Sequence, residues 1–270
     1  MRAPLLVLVL ACFCAPAWAQ DTAPAEAPAP DTAEPAPSAA PPGQPRWTFG
    51  LLALNRNAPY VGLDEDNYLV PLIRFEGERA YLRGLRGGWR VYNKGNFELA
   101  AIAQARLDGY DPDDSDFLTG MEKRKFSMDV GMTADWRVKG IGNFEAAVVV
   151  DALDRSGGSE VSLGWNGLVR AGQWFVIPGV SGRWQDASMV DYYYGVRADE
   201  ALPGRPAYRP GAAFKPEVSV LVNRSFGSNR RWSFFARAAH EWLPSNVSDS
   251  PIVQGDGNTS IFLGLGYSPR

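Results

Sequence analysis

The chain has 270 residues, of which 46% are hydrophobic, 21% are charged and 12% are aromatic. This composition is sufficient for a sizeable ordered domain and excludes a disordered acidic or basic tail, because such tails lack aromatic residues. The formal net charge of -3 gives no general reason to expect a nucleic-acid partner. One histidine and two cysteines leave few residues for metal binding or nucleophilic catalysis.

Residues 1–19 are predicted to be a secretory signal peptide that export removes. A single basic residue precedes an apolar run at 5–13, and Ala17-Trp18-Ala19 matches the A-x-A cleavage pattern. Both cysteines, Cys12 and Cys14, lie in this segment, so the exported chain would contain no thiol. The alternative is a lipoprotein signal with Cys12 as the lipidated residue, which fits the preceding Val-Leu-Ala poorly.

Residues 20–45 are predicted to be a disordered linker rich in proline and alanine. They show no apolar periodicity and cannot bury a core, and alternating Ala and Pro favours an extended chain. Of the 27 basic and 30 acidic residues in the whole chain, one basic and four acidic residues precede Arg46. The ordered domain, 46–270, is therefore electrically neutral, and any electrostatic function must come from local patches.

Hydrophobic and polar residues alternate along the ordered domain, which predicts β-strands rather than helices. Soluble strands are usually about five or six residues long, whereas these runs approach about ten or twelve. A membrane barrel would turn the apolar face to lipid and the polar face to its lumen. In the clearest run the apolar face carries Phe126, Met128, Val130, Met132, Ala134 and Trp136, and the polar face carries Ser127, Asp129, Gly131, Thr133, Asp135 and Arg137.

Aromatic residues recur ten positions apart on one face of three predicted strands. Ten residues of a strand tilted by about 40° cover roughly 25 Å along a barrel axis, which matches the apolar band between the two aromatic girdles of an outer-membrane barrel. The predicted fold is therefore all-β, a transmembrane antiparallel up-and-down β-barrel of the outer-membrane type. The three pairs are Phe126 and Trp136, Trp174 and Trp184, and Trp232 and Trp242.

Eleven segments are predicted to be strands, although single-chain bacterial barrels have an even number. Counting from the C-terminus places 107–124 outside the cell, whereas counting from a periplasmic N-terminus places it inside, so one assignment before Arg106 must be wrong. The expected position of the error is the Gly-rich stretch 84–88, and the predicted strand number is ten or twelve. The segments are 47–55, 67–76, 79–91, 96–106, 125–137, 143–152, 160–170, 173–184, 214–226, 231–243 and 259–267, with hairpin turns at 139–142 and 227–230 and outer loops at 107–124, 185–213 and 244–258.

The polar faces carry charges of both signs, which are predicted to point into the lumen. Mixed charges in a narrow barrel usually pair and fill the lumen, whereas a conducting pore more often has one sign at a constriction. A packed lumen is therefore the main prediction, and a small-solute pore is the alternative. The inward charges are predicted to be Arg106, Asp129, Asp135, Arg137, Glu145, Asp151, Arg170, Arg183, Arg237 and Glu241.

The sequence predicts no catalytic, cofactor-binding or metal-binding residues, and no enzyme. His240 lies on the apolar face beside Trp242, so a histidine in the interfacial aromatic belt is favoured over the catalytic histidine of a membrane-face hydrolase. The acidic stretch from Asp111 to Glu122 has oxygen ligands at calcium-loop spacing, but Asp116 replaces the required glycine. A solvated loop is therefore favoured over a calcium site.

Several short motifs in the ordered domain carry a resemblance to a known family. The most distinctive block is Tyr-Tyr-Tyr-Gly-Val at 192–196, followed by Ala-Tyr-x-Pro-Gly-Ala at 207–212. Others are Tyr60-x-Gly62, Tyr68-Leu-Val-Pro71-Leu-Ile, Tyr81, Arg106-x-x-Gly109-Tyr110, Ser250-Pro251-Ile252-Val253 and Gly264-Leu-Gly266-Tyr267. In this order they resemble the MipA/OmpV family of outer-membrane proteins over 47–267. The chain departs from that family at its end, where Pro269 and Arg270 stand in place of a terminal aromatic residue.

The resemblance implies a cell outer-membrane protein that the barrel assembly machinery inserts among lipid and lipopolysaccharide. A well-known family member is described as a scaffold that joins a lytic transglycosylase to a bifunctional penicillin-binding protein at the cell wall. The same scaffold role is therefore what the resemblance implies here. Other members are linked to adhesion, osmotic response or antibiotic uptake, which are the alternatives. The family pattern includes no catalytic residues.

Overall fold

The computed structural model describes residues 46–56, 59–63 and 66–269. The predicted signal peptide and linker lie outside these residues. The strands form one antiparallel sheet that closes on itself, because the first strand pairs with the last. In chain order they are β1 (Arg46–Arg56), β2 (Asp66–Glu76), β3 (Ala80–Arg83), β4 (Arg86–Lys94), β5 (Phe97–Arg106), β6 (Ser127–Val138), β7 (Gly142–Asp151), β8 (Ser159–Asn166), β9 (Val169–Ala171), β10 (Trp174–Gln185), β11 (Ala213–Phe226), β12 (Trp232–Trp242) and β13 (Gly257–Tyr267).

The closed sheet is a barrel with twelve strand positions, because β8 and β9 both pair with β10 and together form one interrupted strand. This confirms the predicted all-β barrel and its even strand number. The ladder between β1 and β13 runs from Phe49–Tyr267 to Arg56–Ser260, so no open edge remains at this seam. Closure leaves the backbone hydrogen bonds of the seam satisfied, which a structure in lipid requires.

The predicted single strand at 79–91 is wrong. The segment is a hairpin in which β3 pairs with β4 and the turn lies at Gly84 and Leu85. Gly84 has φ +63, a left-handed conformation that glycine adopts without strain. This wrong assignment lies in the Gly-rich stretch 84–88, where the odd number of predicted strands indicated an error. The additional strand places 107–126 at the outer end from both directions of counting.

The outer surface of the barrel is apolar, as the alternation predicted. Met128, Val130 and Met132 are exposed, whereas Ser127 and Asp129 on the alternate positions of the same strand are buried. All six aromatic residues of the predicted girdle pairs are exposed; Phe126 is 61% exposed and Trp136 is 55% exposed. In water such a surface would be unfavourable, so its extent indicates contact with lipid.

The connections differ between the two ends of the barrel. The end with the turns at 77–79, 95–96, 139–141, 172–173 and 227–231 is the periplasmic end, and the longer loops mark the outer end, where the turn at Gly84 and Leu85 is the short exception. The loops contain helix α1 (Ala187–Tyr194), the short helix α2 (Ser245–Ser248) and 3-10 turns at Pro112–Asp114 and Asp116–Leu118. Within the described part of the chain, no helix is both long and apolar enough to cross a membrane.

Candidate functional site: a capped lumen and a basic periplasmic rim

The outer half of the lumen is filled by paired charges. Arg106 lies 2.6 Å from a carboxylate oxygen of Asp129 and 3.0 Å from one of Glu160. Gln185 donates a second hydrogen bond to Glu160 at 2.8 Å. These side chains are almost fully buried, so each charge depends on its partner for stabilisation.

Further ion pairs occupy the rest of the lumen wall. Arg90 bridges Glu76 and Glu98 at 2.9 and 2.8 Å. The prediction that mixed inward charges would pair is therefore confirmed for Arg106, Asp129, Glu145, Arg183, Arg237 and Glu241. Among the described residues, the other four predicted inward charges form no such pair: Asp135 accepts a hydrogen bond from Asn143, and Asp151 caps the loop that follows β7. Arg137 is exposed, and Arg170 lies at the periplasmic end.

The long outer loops pack against one another across the mouth of the barrel. We call the segments 59–63, 107–126, 186–212 and 243–256 the lid. They leave the barrel from strands on opposite sides, yet their apolar side chains form one buried cluster, so the lid covers the lumen. The Tyr60 ring lies 4.7 Å from Tyr110 and 6.0 Å from Tyr194. The cluster also contains Leu118, Met121, Met189, Val190, Tyr193, Val196, Ala213, Leu243, Val247, Ile252 and Val253.

The motifs that carried the family resemblance therefore converge in the lid. Tyr60, Tyr110, Tyr193 and Ile252 come from four different motifs and meet in the same buried cluster. Three of these segments lie in the predicted outer loops 107–124, 185–213 and 244–258, whereas the segment of Tyr60 was not among them, and the association of the four was not predicted. The signal was present in the loops themselves, which carry large apolar residues where solvated loops carry polar ones.

A buried ion pair links two segments of the lid. Both terminal nitrogens of Arg124 donate to Glu200, at 2.9 and 2.7 Å, and the Arg124 side chain is fully buried. Glu200 also accepts from the backbone N–H groups of Glu122 and Arg197. Burial alone would raise the pKa of Glu200, but these hydrogen bonds outweigh it and hold the pKa below its ordinary value.

The tyrosines of the lid are shielded from water. Burial raises the pKa of Tyr110 to about 12, partly offset by the nearby Arg124, and burial raises the pKa of Tyr193 further. Arg205 extends the polar connection by donating to the carbonyl oxygens of Thr119 at 3.1 Å and Glu200 at 2.9 Å. The lid is therefore held by packing, by a charge pair and by loop-to-loop backbone contacts.

Beneath the lid there is a small polar cavity of about 40 Å³. Its lining includes Asp108, Arg183, Lys215 and Glu241. Lys215 is buried and donates to the hydroxyl of Tyr194 at 3.0 Å. A cavity of this size has room for a few water molecules.

The acidic loop uses its carboxylates for contacts within the protein. Asp111 caps the first 3-10 turn and pairs with Lys123, which lowers the pKa of Asp111, and Glu122 pairs with Arg197. In the part of the chain that the structure describes, no cluster of three or more acidic, histidine or cysteine side chains could hold a metal ion. These contacts favour a structural role for the loop.

His240 points outward on β12, in the aromatic belt near the outer end. Its ring packs edge-on against Trp242 at 4.7 Å, and Nδ1 lies 2.8 Å from the hydroxyl of Thr259 on β13. No local sequence pattern predicts this hydroxyl, because it comes from the neighbouring strand. The adjacent carboxylate, Glu241, points inward and pairs with Arg183. It therefore does not orient His240 as the acid of a catalytic acid–histidine–hydroxyl triad would.

The periplasmic end has the opposite charge character from the lid. The turns and strand ends there are mostly basic, with Glu78 as the acidic residue of the turns, whereas the lid is rich in aspartate. Although the ordered domain is neutral as a whole, positive charges predominate at its periplasmic end and negative charges at its outer end. A basic rim attracts acidic surfaces in the periplasm. The basic residues of the rim are Arg46, Arg79, Lys94, Arg137, Lys139, Arg170, Arg224, Arg230 and Arg231.

Comparisons with known proteins agree with this architecture. The family model described as "MltA-interacting protein MipA" matches residues 49–269. The chain is 29% identical over 212 residues to the MltA-interacting protein of Escherichia coli (strain K12), covering 77% of this chain and 84% of that protein. It is 28% identical over 158 residues to the outer membrane protein OmpV of Vibrio cholerae, covering 58% and 60%.

Among solved structures, an outer membrane channel from Pseudomonas putida F1 is similar with a TM-score of 0.40 and 9% identity, over 87% of this chain and 100% of that one. The relatives named outer membrane proteins and the barrel fold place the protein in the outer membrane. The family match covers most of the chain and nearly all of the barrel. The chain therefore belongs to the MipA family of outer-membrane β-barrels, which includes the MltA-interacting protein and OmpV.

Proposed function

We propose that the protein is a non-enzymatic scaffold that binds a lytic transglycosylase, and with it a penicillin-binding protein, at the periplasmic face of the outer membrane. The name of the Escherichia coli relative describes an interaction with MltA. Enzymes that remodel peptidoglycan work in the periplasm, so the surface available to them is the periplasmic rim.

One observation carries this proposal: the lid covers the outer mouth, while the basic rim remains exposed on the periplasmic side. Arg79 and Arg137 are exposed at this rim. Long-range attraction to an acidic patch on a partner would raise the association rate and fix its orientation. A closed outer mouth is of little use to a diffusion pore but does not hinder a scaffold.

The experiment is co-purification of the detergent-solubilised barrel with a lytic transglycosylase and a penicillin-binding protein from the same organism. The wild-type barrel is expected to retain both enzymes in several detergents, and the variant Arg79→Glu/Arg137→Glu is expected to lose them in a salt-dependent manner. Lys123→Glu, which changes an exposed charge on the lid, serves as the control and should bind normally. Failure of the wild type in every detergent would contradict the scaffold role.

A small-solute pore is the second candidate, supported by the charged lumen beneath the lid. Planar-bilayer recording separates the two functions. A scaffold with a closed lid should give no discrete conductance steps, whereas regular steps in the wild type would favour the pore.

A further inference from the structure

The barrel wall contains a notch at its periplasmic end. The ladder between β10 and β11 ends at the pair Phe175–Asn223. Beyond it β10 has one more residue, Trp174, which pairs with Ala171 of β9 on the other edge of β10, whereas β11 continues to Phe226 in its ladder with β12. The two hairpins therefore separate below this pair. The space between them is a cavity of about 300 Å³, which is at the lower end of the range for ligand pockets, about 300–1,000 Å³.

The notch is strongly basic. Arg224 lines it from the outward face that carries Trp174, Arg170 lines it from the inward face that carries Phe175, and Arg230 lines it from the turn after β11. No lining residue is acidic. The partners of two of these arginines are neutral: Arg224 Nη2 donates to the side-chain oxygen of Gln173 at 2.7 Å, and Arg170 Nε donates to the carbonyl oxygen of Gly172 at 3.4 Å. Their positive charges are therefore not neutralised by these contacts.

Arg224 also has an unused donor. Its Nε is buried and has no hydrogen-bond partner, although a buried polar atom is normally paired. Its guanidinium lies 5.4 Å from the centre of the Trp174 ring, which fixes the plane of the fork. A planar guanidinium with free donors suits the bidentate binding of phosphate.

The notch lies at the level of the lipid headgroups. Phe226 lines it, and Phe226, Trp174 and Trp232 are exposed on the outer surface of the barrel at this end, where aromatic residues mark the membrane interface. The phosphate groups at this depth belong to phospholipids of the periplasmic leaflet. Among phosphate compounds, the lipid headgroup is therefore the ligand that the position of the notch favours.

We propose that the notch between the β9–β10 and β11–β12 hairpins binds the phosphate group of a phospholipid headgroup through Arg170, Arg224 and Arg230. The site anchors one lipid at a fixed position on the rim. It does not depend on the scaffold role, because its ligand is a lipid and its measurement involves no partner protein.

The test is native mass spectrometry of the full-length exported chain in a non-ionic detergent with added phosphatidylglycerol or phosphatidylethanolamine. The wild type is expected to retain one phospholipid, and Arg170→Gln/Arg224→Gln is expected to bind it about tenfold or more weakly, because charge-assisted hydrogen bonds are lost. The matched control, Arg79→Gln/Arg137→Gln, removes the same charge from the opposite part of the rim and should bind as the wild type does. Heat-modifiable migration in gels verifies that each variant is folded.

Two further arms distinguish the sources of the anion. Diacylglycerol, which lacks phosphate, is expected not to be retained, and millimolar inorganic phosphate is expected not to displace the lipid. Equal retention by both double variants would show ordinary annular lipid and overturn the proposal. Displacement by inorganic phosphate would show a soluble-anion site and overturn it as well. If Arg170→Gln/Arg224→Gln fails to fold, Arg224→Lys keeps the charge but loses the planar fork and should bind more weakly than the control.

Discussion

The substitution Glu200→Ala should release the lid without opening the barrel. It leaves Arg124 fully buried without the carboxylate that accepts hydrogen bonds from both of its terminal nitrogens. Removing one partner of a buried ion pair costs about 3–5 kcal/mol, because the remaining charge is uncompensated. Since each 1.4 kcal/mol is a factor of ten, the equilibrium between the closed and open lid should shift by roughly 140-fold to 3,700-fold. The strands lose no contact in this variant.

Hydrogen exchange measured by mass spectrometry tests this prediction peptide by peptide. Amides in 187–212 should lose protection by about the same factor, while amides in β5 and β6 should keep theirs. Asp111→Ala is the matched control, because it breaks an exposed ion pair on the same loop as Arg124 and should change the protection little. If both variants exchanged at the same rate as the wild type, the buried pair would not be what holds the lid closed.

Three further results are expected. The pKa of Glu200 lies below its ordinary value of 4.5, so its contribution to lid stability is complete above that pH and is lost as the pH falls through the lowered pKa. A nitroxide label at Leu202→Cys should therefore become mobile only below about pH 4.5. The absence of this transition would contradict the role of the carboxylate. Gly50→Ala should prevent closure of the barrel, because the new Cβ would lie 1.9 Å from the backbone oxygen of Leu265 across the seam. The control Gly87→Ala should fold, because its new Cβ would lie 3.9 Å from the nearest atom. Heat-modifiable migration in gels reports whether each variant is folded. Leu263→Arg places a charge midway along the lipid-facing side of β13 and should lower the free energy of unfolding by about 2–4 kcal/mol. Thr259→Arg, near the interface, should lower it by only about 0–1 kcal/mol. Urea unfolding in liposomes measures both, and equal costs would mean that this face does not contact lipid.

The sequence alone determined the class of structure, because a membrane imposes a simple pattern on each strand. The alternation at 126–137 and the girdle pairs depend only on residues within one strand, so they can be recognised without knowing which strands are neighbours. The requirement for an even strand number also located the error at Gly84–Gly88. The turn at Gly84 and Leu85 was missed because it contains no Pro, Asn or Asp to interrupt the alternation.

The tertiary structure decided everything that depends on contacts between distant segments. Arg124 and Glu200 are separated by 76 positions in the sequence, and no local pattern predicts that they meet. Likewise, the notch at Arg224 arises because two hairpins separate beyond Phe175–Asn223, which only the register of the strands reveals. Local periodicity therefore fixes which face of a strand meets lipid, whereas closure of the sheet and packing of its loops fix where charges are paired and where they remain available for a ligand.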